Sequence, residues 1–184
     1  MQVLVSDGVR RLTTTRVAER AGVSVGTLYQ YYPNKQALLF AVLKRHLQRV
    51  ADAVESASLR SHNAPLEVMV TNVVNAFVKA KTEQMDQARP LYAVASELAS
   101  EELVKTAADK GCSAIANMLA TAPDASFEDL KLTSHVFIAA MVGPTRTLLE
   151  GDAPPKLLRA LRRQLKSLCL GYLEREATSR DRPN

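Results

Sequence analysis

The sequence has no tryptophan and only two cysteines, Cys112 and Cys169, far apart and outside any C-x-x-C pair. That argues against the disulfide framework of small secreted domains and for a reducing compartment, so a cytoplasmic location is expected. Both thiols read as small packing residues. Long apolar runs are also missing. The longest, Val136 to Val142, falls far short of the roughly 20 residues that cross a bilayer, so no membrane partner is expected. Asp7 interrupts the apolar start Met1 to Val5, which does not fit a signal peptide. Sustained period-two alternation is absent, which argues against a sheet. The three histidines, His46, His62 and His135, form no H-x-x-H or H-x-x-x-H pair, so neither a metal site nor a cofactor is expected. Acid is scarce in one place. Residues 1–50 hold eight Lys/Arg against Asp7 and Glu19, a net +6, while residues 51–184 hold 16 basic and 17 acidic residues, a net −1. A positive field concentrated at one end suits a polyanion-binding surface.

What is present is helix punctuation. Thr14 is the expected N-cap of a short helix over 15–21, and Gly22 its terminator. Ser24 caps a second short helix to about Tyr32, and Pro33-Asn34 breaks the chain before a long helix from Lys35 to about Ala57. Leu38, Leu39, Val42, Leu43 and Leu47 recur along it at helical spacing. Further helices are predicted over 66–81, 89–118 (one helix, or two divided near Ser100), 127–149 and 156–177, with loops at Ser61–Pro65 and Ala122–Ser126. Ser126 is a candidate cap for the helix after it, and Gly143-Pro144 is expected to kink or interrupt that helix. In the last helix Leu157, Leu158, Leu161, Leu165, Leu168 and Leu173 are expected to point inward. The fold class is therefore all-α, with a helix-turn-helix head over residues 1–48 and a larger helical body over 49–184.

Two short helices joined by a tight glycine turn form a helix-turn-helix. Val17, Ala18 and Ala21 can face Val23, Leu28 and Tyr32 in a miniature core, and the small alanines allow close approach. The second helix then offers Val25, Thr27, Gln30 and Tyr31 to a major groove.

The run from Leu12 to Tyr29, followed by Tyr32, Asn34-Lys35 and Leu38-Leu39, closely resembles the head of the TetR family of transcriptional regulators. The resemblance covers roughly a quarter of the chain; beyond Gln48 it is one of architecture. It implies that Tyr29 and Lys35 touch phosphates. Thr14 and Thr15 open a helix whose hydroxyls and N–H groups suit phosphate. Arg16 adds electrostatic affinity, with Arg45 and Arg49. Gly26 leaves room at the start of the reading helix, and Thr27 reaches a phosphate or a base edge. Val25, Gln30 and Tyr31 are the expected base readers: Gln pairs with adenine and Val meets a thymine methyl. The family carries a longer first helix than residues 2–7 can supply, so most of that helix is expected to be missing.

The resemblance further implies a homodimeric repressor on a pseudo-palindromic double-stranded operator, released by a small-molecule effector. Residues 127–149 and the leucine-rich last helix would form the dimer interface. His46, Met69, Phe77, Tyr92, Met118, His135, Phe137 and Met141 are candidate lining for the effector pocket, although most apolar residues at such spacings are plain core. Two other readings stand beside this one, a small helical enzyme or ligand carrier with a chance motif and a DNA binder without sequence preference. Gly22 to Gly26 matches G-x-S-x-G, but a hydrolase elbow needs a strand before its serine, and helix-forming residues precede Ser24; no enzyme is expected. A DNA binder without sequence preference would bind all duplexes equally. The basic cluster Arg159, Arg162, Arg163 and Lys166 reads as the wet face of an amphipathic helix.

Overall fold

The computed structural model describes residues 12–83, 100–150 and 154–178, and among them the chain forms seven α-helices and no strand. These are α1 (Thr14–Ala21), α2 (Val25–Tyr31), α3 (Lys35–Arg60), α4 (Leu66–Thr82), α5 (Glu101–Leu119), α6 (Leu130–Glu150) and α7 (Pro155–Glu176). The expectations for residues 1–11, for Tyr92 and for the 89–99 part of the 89–118 segment fall outside the described residues.

Local chemistry sets the head. The cap of α1 is Thr13, one residue earlier than expected, and its hydroxyl accepts from Arg16 N. Gly22 ends α1 at φ 68°, a left-handed conformation that a Cβ would strain. Ser24 Oγ caps α2 by accepting from Thr27 N at 3.0 Å, and Asn34 Oδ1 caps α3 by accepting from Ala37 N at 2.8 Å. The head's interior holds Leu12, Ala18, Leu28, Leu39 and Leu43. Ala21 is exposed, and Val23 keeps 40% of its surface in water, so the miniature core is smaller than the sequence suggested.

The body is a ring of helices. α3 packs on both α4 and α5, α5 on α6, α6 on α7, and α7 back on α4. Val50 and Val54 of α3, Met69, Val70, Val73, Val74 and Phe77 of α4, Ile115 and Met118 of α5, Phe137 and Met141 of α6, and Leu161, Leu165, Cys169 and Leu173 of α7 fill it. The helical spacing of these residues turns one apolar stripe per helix inward. Gly111 marks the tightest approach, where a Cβ would lie 2.8 Å from Ile138 Cδ1. Cys112 and Cys169 are buried free thiols, and burial pushes Cys169 up to about 12.

Long-range polar contacts clasp the far end. Pro65 gives α4 no side-chain cap, so the Asp124 carboxylate accepts from Leu66 N, with its oxygens at 3.0 and 3.2 Å. Thr121 Oγ1 accepts from Asn63 N at 2.9 Å. Ser126 does not cap α6; Asp129 accepts from Leu132 N, while Ser126 pairs with Thr178 just beyond α7. α6 runs through Gly143-Pro144 without interruption.

Candidate nucleic-acid interface

The head separates a buried face from a wet one within a single short helix. On α2, Leu28 is buried, while Gly26, Thr27, Gln30 and Tyr31 are exposed, Tyr31 by 74%. Val25 is half-buried at the start of the helix. A Cβ on Gly26 would meet only Ser24 Oγ at 3.8 Å, so the fold itself does not demand a glycine there. The exposed set combines an amide, a hydroxyl and a phenol, all groups that bond base edges or phosphates.

Tyr29 is positioned by the other helix of the motif. Thr14 is buried and donates from its hydroxyl to Tyr29 Oη at 3.0 Å. Thr14 therefore anchors the phenol, which remains 47% exposed, and is itself withdrawn from solvent. Thr15 and Arg16 are exposed on the first turn of α1, and half-buried Lys35 opens α3. Tyr32 is half-buried, as a core-facing aromatic would be. Ser24, the centre of the G-x-S-x-G match, is held by Thr27 N and Thr27 Oγ1 between two helices.

The residues proposed to line an effector pocket divide. Met69, Phe77, Met118, Phe137 and Met141 meet in the core of the ring. His46 is buried towards the head end of α3, where Arg49 Nη2 lies 3.1 Å from its Nδ1. A guanidinium only donates, so Nδ1 accepts and the ring is neutral. Burial first, and then Lys81 and Arg49, lower its pKa to about 4. Lys81, which the sequence did not single out, is buried with its Nζ 5.8 Å from the Phe77 ring centroid, and burial together with Arg146 lowers it to about 8. His135 is exposed and does not join this group.

The outer faces of α6 and α7 carry exposed apolar side chains among polar ones. Leu132, Val136 and Val142 of α6 and Leu157 and Leu168 of α7 are exposed. Leu157 and Leu168 thus point outward, against the expectation for the last helix. No helix among the described residues is long and apolar enough to cross a membrane.

A helix-turn-helix with an exposed reading helix, carried on an all-α body, defines a class of DNA-binding regulators. Residues 1–42 match the family model described as bacterial regulatory proteins, tetR family, and residues 65–173 match that of the tetracyclin repressor-like C-terminal domain. The chain belongs to the TetR family of transcriptional regulators. It is 30% identical over 105 residues to the HTH-type transcriptional repressor KstR of Rhodococcus jostii, covering 56% of this chain and 49% of that protein. Over 57 residues it is 40% identical to the nucleoid occlusion factor SlmA of Actinobacillus pleuropneumoniae, covering 31% of this chain and 28% of that one. The chain thus matches no more than about half the length of these relatives. A TetR-family regulator structure from Mesorhizobium loti shares the fold with a TM-score of 0.75 at 17% identity, covering 96% of this chain and 92% of the other.

Proposed function

We propose that the chain is a cytoplasmic homodimeric repressor that binds a pseudo-palindromic operator through two copies of its head and leaves it when a small molecule enters the body. The observation that carries this reading is the exposed row Thr27, Gln30 and Tyr31 on a helix anchored by Leu28 and flanked by the tethered Tyr29. Gln30, Tyr31 and Val25 read bases, while Tyr29, Thr15, Arg16 and Lys35 hold phosphates. The repressor sense is supported by the name of the KstR relative. Dimerisation is supported by the exposed apolar side chains Leu132, Val136, Val142, Leu157 and Leu168 on the packed pair α6 and α7, which a second copy would cover in a four-helix bundle. Two recognition helices related by that two-fold would enter grooves about 34–36 Å apart.

The effector would enter among Phe77, Met118, Phe137 and Met141, core side chains whose apolar character suits a ligand with an apolar body. Release requires the ligand to favour one arrangement of the dimer over another, since equal affinity shifts nothing. α3 is one helix shared by head and body, and it carries that shift.

Fluorescence anisotropy against the chain's own upstream intergenic DNA tests the reading, with scrambled DNA as control. Specific, salt-sensitive binding is expected. Equal affinity for both duplexes at every salt concentration would remove the operator from the proposal and leave the body as the working part.

A further inference from the structure

Away from the head, three helices bring cations to one cleft. Arg60 ends α3, Lys79 lies near the end of α4, and Arg162 lies in the first half of α7. Together with Asn72, Asn75, Ala57 and Ala76 they line an open cavity of about 460 Å³. No carboxylate lines it. The guanidinium groups of Arg60 and Arg162 and the ammonium of Lys79 are exposed, and none of the three makes an ion pair or side-chain hydrogen bond among the described residues. By contrast, Lys110 on the neighbouring α3–α5 seam is held by both Asp52 at 2.7 Å and Glu55 at 2.9 Å. The two alanines keep the floor low. Asn75 adds an amide with no partner of its own, and Asn72 already spends its Nδ2 on Ser61 Oγ at 3.1 Å, leaving its carbonyl.

Three unneutralised cations around one concavity repel one another and focus a positive potential there. Guanidinium groups match oxyanions in a two-pronged geometry, and a lysine adds a mobile point charge. A single monoanion would leave most of that charge unmet. We infer that this cleft is a second binding site, for a small phosphorylated molecule bearing a di- or triphosphoryl group, gripped by Arg60, Lys79 and Arg162. Operator DNA held by the head is not the occupant. Arg60 is 25 residues along α3 from Lys35, about 38 Å at the rise of an α-helix. A bound polyanion would bridge α3, α4 and α7, tying a helix shared with the head to the last helix of the body. The inference stands whether or not the head's operator is found.

The test is calorimetric titration of the full chain with inorganic tripolyphosphate and, separately, with a nucleoside triphosphate. Three proteins are compared: the wild type, the double variant Lys79→Gln/Arg162→Gln, and a head control, Lys35→Ala. One tripolyphosphate per chain is expected, with affinity falling at least tenfold in the double variant and holding within about twofold in the head control. Thermal melts check folding in all three proteins; Lys79 and Arg162 are exposed on helix surfaces. Equal or tighter binding of the nucleotide identifies a nucleotide-like ligand, and preference for tripolyphosphate a bare polyphosphate; both uphold the site. Absence of binding at millimolar ligand, binding untouched by the double variant, or binding lost in Lys35→Ala each overturns it, the last by assigning the anion to the head.

Discussion

The hydroxyl of Thr14, at the start of the first motif helix, donates to the phenol oxygen of Tyr29 in the second, at 3.0 Å. One contact therefore links the two helices of the motif and orients the aromatic ring. A neutral hydrogen bond of this kind contributes about 1 kcal/mol net. Thr14→Val and Tyr29→Phe are each expected to weaken operator binding about fivefold or more. The double variant should lose less than the sum of the two, because both remove the same bond. Anisotropy titrations of the four proteins make the cycle, and strict additivity would show that the contact does not matter for DNA.

Phosphate and base contacts separate by their salt and sequence dependence. Lys35→Ala should weaken binding similarly on operator and scrambled DNA and lower the salt slope by about one charge. Gln30→Ala should cost roughly 1–3 kcal/mol on the operator and little on scrambled DNA, with an unchanged slope. A swap of these two behaviours would exchange the roles assigned to the residues.

The exposed leucines of the last two helices make a prediction about mass. Leu168, 50% exposed, and Leu132, 60% exposed, are large apolar side chains in water on these two helices. Leu132→Glu/Leu168→Glu should run as a monomer in light scattering while keeping its helical circular dichroism. Operator affinity should collapse with it, since two half-sites can no longer be held together. A variant that stays dimeric would move the interface elsewhere.

Asp124 contributes to stability from a distance. Its carboxylate serves as the missing cap of α4 by accepting from Leu66 N. Asp124→Ala should cost about 1 kcal/mol, a melting temperature lower by roughly 2–4 °C for a chain of this size. An unchanged melt would mean that water replaces the cap without loss.

Acid should destabilise the fold through His46. Its folded pKa is lowered to about 4 from an ordinary 6.5, so between these values the unfolded chain binds the extra proton. Stability is then complete above about pH 6.5 and falls as pH drops towards 4. His46→Gln should flatten that limb of the stability profile, while in the wild type the His46 ring should still be neutral at pH 5 by nuclear magnetic resonance. Titration of His46 near 6.5 would remove the mechanism. Lys81, lowered to about 8, adds the same sign of dependence between about 8 and its ordinary 10.5.

Signals that act within a turn of helix were legible in the sequence. Ser24, Asn34 and Gly22 do what their types predict, because a cap and a left-handed turn are decided by three or four neighbouring residues. Thr13, Thr14 and Thr15 are three adjacent residues of one type, and local chemistry did not choose the cap among them. The partner across the motif is consistent with the outcome: Thr14 is engaged by Tyr29, and Thr13 caps. The Asp124 cap was invisible because 58 residues separate donor and acceptor. Leu157 and Leu168 resemble their buried neighbours in type, and only the packing of α7 on α4 and α6 shows which side of the helix they take. The helix also tolerates Pro144, since the ring of packed neighbours holds α6 on both flanks of the break in its hydrogen-bond ladder.

The 26 residues of α3 amount to about 39 Å of unbroken rod. Tilting such a rod by about 5° about one end sweeps the other through roughly 3.4 Å, the spacing of successive nucleotides along a DNA strand. A tilt of that size about the body end of the rod would move Lys35 by a full step of the double helix.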